Sequence, residues 1–169
     1  MYAKLFEKLL NGKVEFLVLG GAAVSLHGFP RMTNDIDIIL QNSPENIGRF
    51  VFVASHWGEG YGAGLGYDDF QGAGCVRIEE DFPLDVFTIL DGKGYEYFVG
   101  NAAKYTLAEG LEVQCLSISD LIDLKKKTLR EKDTLDVAVL RRLQENPQPT
   151  TLPTINLQFS SETEEGDPN

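Results

Sequence analysis

The chain lacks most of what marks a secreted, membrane-spanning or disulfide-stapled protein. It has two cysteines in 169 residues, Cys75 and Cys115. Both sit in strand-like runs and read as reduced core thiols. No apolar run approaches the roughly 20 residues of a membrane span. The opening MYAKLFEKLLNGK has no apolar core of a secretory leader, so a cytoplasmic location is expected. The two histidines, His27 and His56, give no His/Cys metal cluster. His27 is expected to pack or cap a short helix, and His56 ends another, where it suits the helix dipole. No Ser-His-Asp spacing stands out, and there is no internal repeat.

Positive charge is scarce too. The net charge is −11; five acidic and no basic residues lie from Glu145 onward, which leaves −6 on the first 144 residues. Broad adhesion to nucleic acid through net charge is therefore excluded. Lys125 to Arg142 runs the other way, with seven basic and three acidic side chains. That local patch suits a phosphate-bearing ligand. The length predicts one domain over residues 1–145 with a substantial core. Residues 146–169, rich in Pro, Thr, Ser and acids, read as a disordered or loosely docked tail.

Periodicity supplies the elements. Helices are predicted over Tyr2–Leu10, Ala22–His27, Pro44–His56 (capped by Ser43), Tyr95–Ala108, from Ser117 to about Leu129, and Lys132–Gln144. Strands are predicted over Glu15–Leu19, Asp35–Leu40, Cys75–Glu79, Leu84–Leu90 and Leu111–Leu116, the third and fourth as an antiparallel pair. Seven glycines between Gly58 and Gly74 argue against regular structure there, so a mobile loop or loose hairpin is expected. It reads either as a lid or as an ordinary insertion. The order predicts an α/β (α+β) domain, a mixed β-sheet flanked by helices and closed by C-terminal helices.

The chemistry concentrates in Gly20 to Leu40, GGAAVSLHGFPRMTNDIDIIL. Aspartate is a poor strand residue, yet Asp35 and Asp37 alternate with isoleucines. Alternation puts both carboxylates on one face, with Cα atoms roughly 6.6 Å apart. Such a pair can share one or two hard divalent cations with a triphosphate. Asp85, an acid amid apolar strand residues, is the candidate third ligand. Gly20-Gly21 end a strand and open a helix, where backbone N–H groups can approach a phosphate. Taken singly, a glycine turn is common and a DxD also fits an exposed edge strand. Two glycines, a 13-residue gap, DID and a later strand aspartate together make a specific pattern.

That pattern resembles the nucleotidyltransferase superfamily, whose sheet carries a GG or GS turn, a DxD or DxE strand and a third acid on a later strand. The form R-x-T-x-D-x-D, here Arg31, Thr33, Asp35 and Asp37, is similar to the branch related to the AbiEii-type toxin of toxin–antitoxin pairs. So is the ending, Lys125 followed by Arg130, Lys132 and Asp133. The resemblance spans Phe16 to about Leu143. The A-R-G element of the small antitoxin-like members is absent.

The resemblance implies magnesium-dependent transfer of a nucleoside monophosphate from a triphosphate, with release of pyrophosphate; manganese can stand in for magnesium. Asp35, Asp37 and Asp85 would be the catalytic and metal-holding residues. Gly20, Gly21, Arg31, Thr33, Lys125, Arg130 and Lys132 would bind the nucleotide and its phosphates, although a solvated helix face also explains the basic ones. The acceptor, whether RNA, protein or small molecule, and the oligomeric state stay open. The rival expectation is a non-catalytic nucleotide- or partner-binding module on the same fold.

Overall fold

The computed structural model describes residues 2–72, 74–107, 110–128 and 131–146. Arg130 and the tail from residue 147 lie outside the described residues.

The chain opens with α1 (Tyr2–Asn11), β1 (Phe16–Leu19), α2 (Gly20–Leu26), β2 (Ile36–Leu40) and α3 (Pro44–Ala54). Then come β3 (Val76–Glu79), β4 (Pro83–Phe87), a small hairpin of β5 (Ile89–Leu90) and β6 (Lys93–Gly94), and α4 (Tyr95–Val99). The last elements are β7 (Ala103–Thr106), β8 (Glu112–Cys115), α5 (Ile118–Lys125) and α6 (Glu131–Glu145).

Six strands form one mixed sheet in the order β3-β4-β2-β1-β8-β7. β1 pairs antiparallel with β2 and parallel with β8, and β2 pairs parallel with β4. All four residues of β1 are buried, which is why it reads as an unbroken apolar run. The amphipathic α1 buries Tyr2, Leu5, Phe6 and Leu9, and Phe6 stacks on Phe16 at 6.0 Å. In α3, the Ser43 hydroxyl accepts from the Asn46 N–H, as its cap position predicts. The fully buried Asn46 side chain then bonds Glu15 N–H, Glu15 C=O and Gln41 C=O at 2.8–2.9 Å. It ties the start of β1 to the end of β2.

Several expectations are corrected. The segment predicted helical from Tyr95 to Ala108 stops at Val99 and becomes β7. Gly100 and Asn101 break it, after which Ala103 and Tyr105 are half-buried and Lys104 and Thr106 exposed, a period of two. Strand Leu84–Leu90 is interrupted at Thr88, whose buried hydroxyl donates to Phe70 C=O at 2.6 Å. Asp91 and Gly92, at φ 50° and 75°, make the tight turn that folds β5 onto β6. The glycine-rich segment is not a hairpin: it forms 3₁₀ turns at Tyr61–Gly64 and Tyr67–Phe70. Phe70 anchors it edge-on against Phe50 at 5.7 Å, and the Glu80 carboxylate accepts from the N–H groups of Glu59 and Tyr61. Cys115 is buried as expected, but Cys75 is exposed.

His27 is a buried strut. A carbonyl can only accept, so Nε2–H donates to Leu116 C=O at 2.8 Å, and Nδ1 shares a hydrogen bond with the Tyr105 hydroxyl at 2.6 Å. Burial lowers the pKa of the ring, which favours its neutral form. An unfolded chain takes up this proton near pH 6.5 while the folded one does not. Stability from His27 is thus complete above that pH and falls as pH drops through it, by at most about 1.4 kcal/mol per pH unit. In urea unfolding between pH 7.5 and 5, the wild type should lose stability relative to His27→Gln as pH falls, and the difference between the two isolates the His27 contribution from that of other titrating groups.

Candidate functional site

One register places the acids. Leu19 of β1 pairs with Asp37 of β2, Asp37 with Asp85 of β4, and Asp85 with Arg77 of β3. These side chains therefore form a row across four strands, on the face opposite the buried Ile36, Ile38, Leu84 and Val86. Strands lie about 4.8 Å apart, so Asp37 and Asp85 are near neighbours. Asp35 sits on the bend just before β2 rather than within it. It still lines the same cavity.

That cavity has a volume of about 330 Å³. Asp35, Asp37 and Asp85 line it together with Gly20, Gly21, Arg31, Lys125 and Lys132, and Phe87, Leu90, Leu121 and Leu124 add an apolar part. Of the predicted site residues, Thr33 stands behind this wall and Arg130 lies outside the described residues. The buried Thr33 hydroxyl donates to Asp35 Oδ1 at 2.8 Å. Its carbonyl accepts from the Tyr2 hydroxyl at 2.9 Å. Burial, then the Asp35 charge, push Tyr2 up to about 12.

The two glycines have separate jobs. Gly20 sits at φ +64°, and a Cβ there would fall inside the Asp37 carboxylate. It is glycine both for the backbone and for the acid. A Cβ on Gly21 would overlap the Arg31 guanidinium and crowd Thr33. The space at Gly21 thus admits Arg31, where the sequence suggested room for a phosphate. The N-cap residue of α2, Leu19, has no side-chain cap for the first turn.

Asp37 is held in an unfavourable place. Burial first, then the Asp35 and Asp85 charges, raise its pKa to about 6, against an opposing pull from Lys125 and Lys132. Crowded carboxylates of this kind are the donor chemistry of a hard divalent cation. Asp85 is already engaged: Arg77 Nη1 lies 3.2 and 3.1 Å from its two oxygens. Among the described residues, no group of three His, Cys, Asp or Glu side chains stands close enough together to hold a metal ion as placed.

The basic wall divides in two. Lys125 Nζ lies 3.0 Å from Asp133 and 2.7 Å from Asp136, and Arg31 Nε lies 3.0 Å from Asp136. Thr128 donates to the other Asp133 oxygen at 2.6 Å. Asp136 is buried in α6 and was not singled out from sequence. Its signal was there, an acid one turn from Asp133 on the apolar side of a helix. These pairs join α5, α6 and the segment before β2 into one unit. Lys132 is different: it is exposed at the cavity and makes no ion pair among the described residues.

No family model matches the chain, and no curated protein matches it in sequence. Solved structures do. The chain is similar to ANT(2″)-Ia in complex with adenylyl-2″-tobramycin at 15% identity, over 85% of this chain and 87% of that one, with a TM-score of 0.52. The fold is nucleotidyltransferase-like. An antigenic nucleotidyltransferase-like protein from Paracoccidioides brasiliensis gives 18% identity and a TM-score of 0.52, over 82% and 72% of the two chains. At such identities the likeness is one of fold, a mixed sheet flanked by helices. No helix among the described residues is long and apolar enough to cross a membrane.

Two stability measurements test this geometry. Asp37→Asn removes a charge that folding disfavours above about pH 6. In chelator-treated protein at pH 7.5 it should stabilise the fold by about 1–3 kcal/mol, and at pH 4 the gain should vanish. Lys125→Ala leaves two buried carboxylates short of a partner. It should destabilise by about 3 kcal/mol, whereas Lys132→Ala should leave the midpoint of thermal unfolding unchanged.

Proposed function

We propose that the protein transfers a nucleoside monophosphate from a nucleoside triphosphate to an acceptor nucleophile, releasing pyrophosphate. The observation that carries this reading is the row of Asp37 and Asp85 beside Asp35, facing a cavity whose other wall is basic. The nucleotidyltransferase-like fold supports it. Within the superfamily, the Arg31-x-Thr33-x-Asp35-x-Asp37 run and the Lys125…Lys132-Asp133 ending favour kinship with the AbiEii-type branch. We place the reaction in the cytoplasm, where triphosphates are held.

Asp35 and Asp37 would hold a magnesium ion, and Asp85 would hold a second one. The two ions would supply positive charge to the triphosphate and to the attacking oxygen. The remaining work is done by the chain itself. The first turn of α2, opened by Gly20 and lacking a side-chain cap from Leu19, would offer N–H groups to the phosphates. Lys132 reaches the leaving pyrophosphate as a mobile point charge. Lys125 and Arg31 act from fixed positions, because Asp133 and Asp136 hold them. Thr33 keeps Asp35 oriented through its hydroxyl. Leu121 and Leu124 give the base or the acceptor an apolar surface. Such catalysis is mostly positioning and charge stabilisation.

The engagement of Asp85 by Arg77 favours a second reading, a module that binds nucleotide without turnover. One experiment separates the two. Incubate the protein and magnesium with each α-³²P-labelled triphosphate and with cell RNA, protein or small-molecule extract. Wild type should transfer label and release pyrophosphate. Asp37→Asn should lower transfer at least about 100-fold, and Lys132→Ala should raise the KM for the triphosphate about tenfold. Binding by calorimetry with no transfer supports the second reading. Equal transfer by wild type and Asp37→Asn overturns the first.

A further inference from the structure

The Arg77–Asp85 pair has an asymmetry that bears on cation binding. Arg77 stands on β3, the edge strand of the sheet. Its side chain is 46% exposed, whereas that of Asp85 is 14% exposed. The arginine has a way out into solvent; the carboxylate, fixed between β2 and β3 by the strand register, does not. Glu79 holds the guanidinium in place from the outer side, with Arg77 Nε 2.7 Å from its carboxylate. Both Asp85 oxygens are therefore engaged by Arg77 of β3. Asp35 and Asp37 differ: Asp35 accepts from the neutral Thr33 hydroxyl, and Asp37 makes no ion pair among the described residues.

We propose that Arg77 is a displaceable counter-cation, which neutralises Asp85 in the cation-free protein and competes with a second divalent ion for that carboxylate. The first ion, on Asp35 and Asp37, meets no such competitor. The two cation sites then differ in affinity because of Arg77 and not only because of ligand count. Binding of the second ion requires the Arg77–Asp85 contact to open, so its apparent affinity is reduced by the fraction of molecules in which the pair is open. This inference rests on reading Asp35, Asp37 and Asp85 as cation ligands.

Mn²⁺ alone is the probe, titrated into the full chain and followed by electron paramagnetic resonance of the unbound ion and by calorimetry. Wild type should show one stronger and one weaker binding event. In Arg77→Ala the weaker event should tighten about tenfold or more, while the stronger one moves less than about twofold. Arg77→Lys, which keeps the charge but loses the fixed fork, should fall between the two. Asp85→Asn should remove the weaker event. Near-UV circular dichroism reports the fold of each variant, and the lysine variant carries the test where alanine disturbs β3. Superimposable isotherms for wild type, Arg77→Ala and Arg77→Lys, with the stronger event still abolished by Asp37→Asn, overturn the role of Arg77 and leave the cation site standing. Isotherms insensitive to Asp35→Asn, Asp37→Asn and Asp85→Asn overturn the cation site itself.

Discussion

Like-charge crowding between Asp35, Asp37 and Asp85 is the constraint around which the rest of this fold is arranged. The crowding is enforced from behind. Ile36, Ile38, Leu84 and Val86 are buried, and a slip of one residue in either strand would send them to the cavity face and the acids into the core. The register that satisfies the core therefore sets Asp37 beside Asp85, at a cost visible in the raised pKa of Asp37. A cation is the physical remedy for such a cost. In its absence Arg77, Lys125 and Lys132 provide a partial one.

The C-terminal helices serve the same site by a different device. Asp133 and Asp136 of α6 are buried acids, and each meets Lys125 of α5; Asp136 also meets Arg31. Breaking any member strands a charge away from water, which is costly. The pairs thus fix α5 and α6 against the segment that leads into β2. This explains the shape of the R-x-T-x-D-x-D run in physical terms. Arg31 crosses the space left by Gly21 to reach Asp136, Thr33 steadies Asp35, and Asp37 fits against Gly20.

Much of this was legible in the sequence, and the parts that were not share a cause. β1, α1 and α3 announce themselves through local patterns: an apolar run, a helical period, a Ser-Pro start. The aspartates were legible because acids in a strand contradict local preference. What failed depends on partners far along the chain. β7 looks helical until Val113 and Gln114 of β8 are there to pair with it. The glycine-rich segment looks loose until Phe50 and Glu80 anchor it. That Asp133 and Asp136 hold Lys125 and Arg31 was not legible, because these acids sit on another element, and Arg77 was not considered because its link to Asp85 is a matter of strand register. The assignment of Cys75 to the core failed for the same reason, since β3 is an edge.

The central claim is that strand register gathers these carboxylates to hold a cation against a triphosphate. Anomalous diffraction from crystals grown with Mn²⁺ and a non-hydrolysable triphosphate tests it most directly. The account predicts an anomalous peak between Asp35 and Asp37, with the phosphates at the first turn of α2 and near Lys132. A triphosphate and manganese bound elsewhere, with the three aspartates making no contact to the metal, would contradict it.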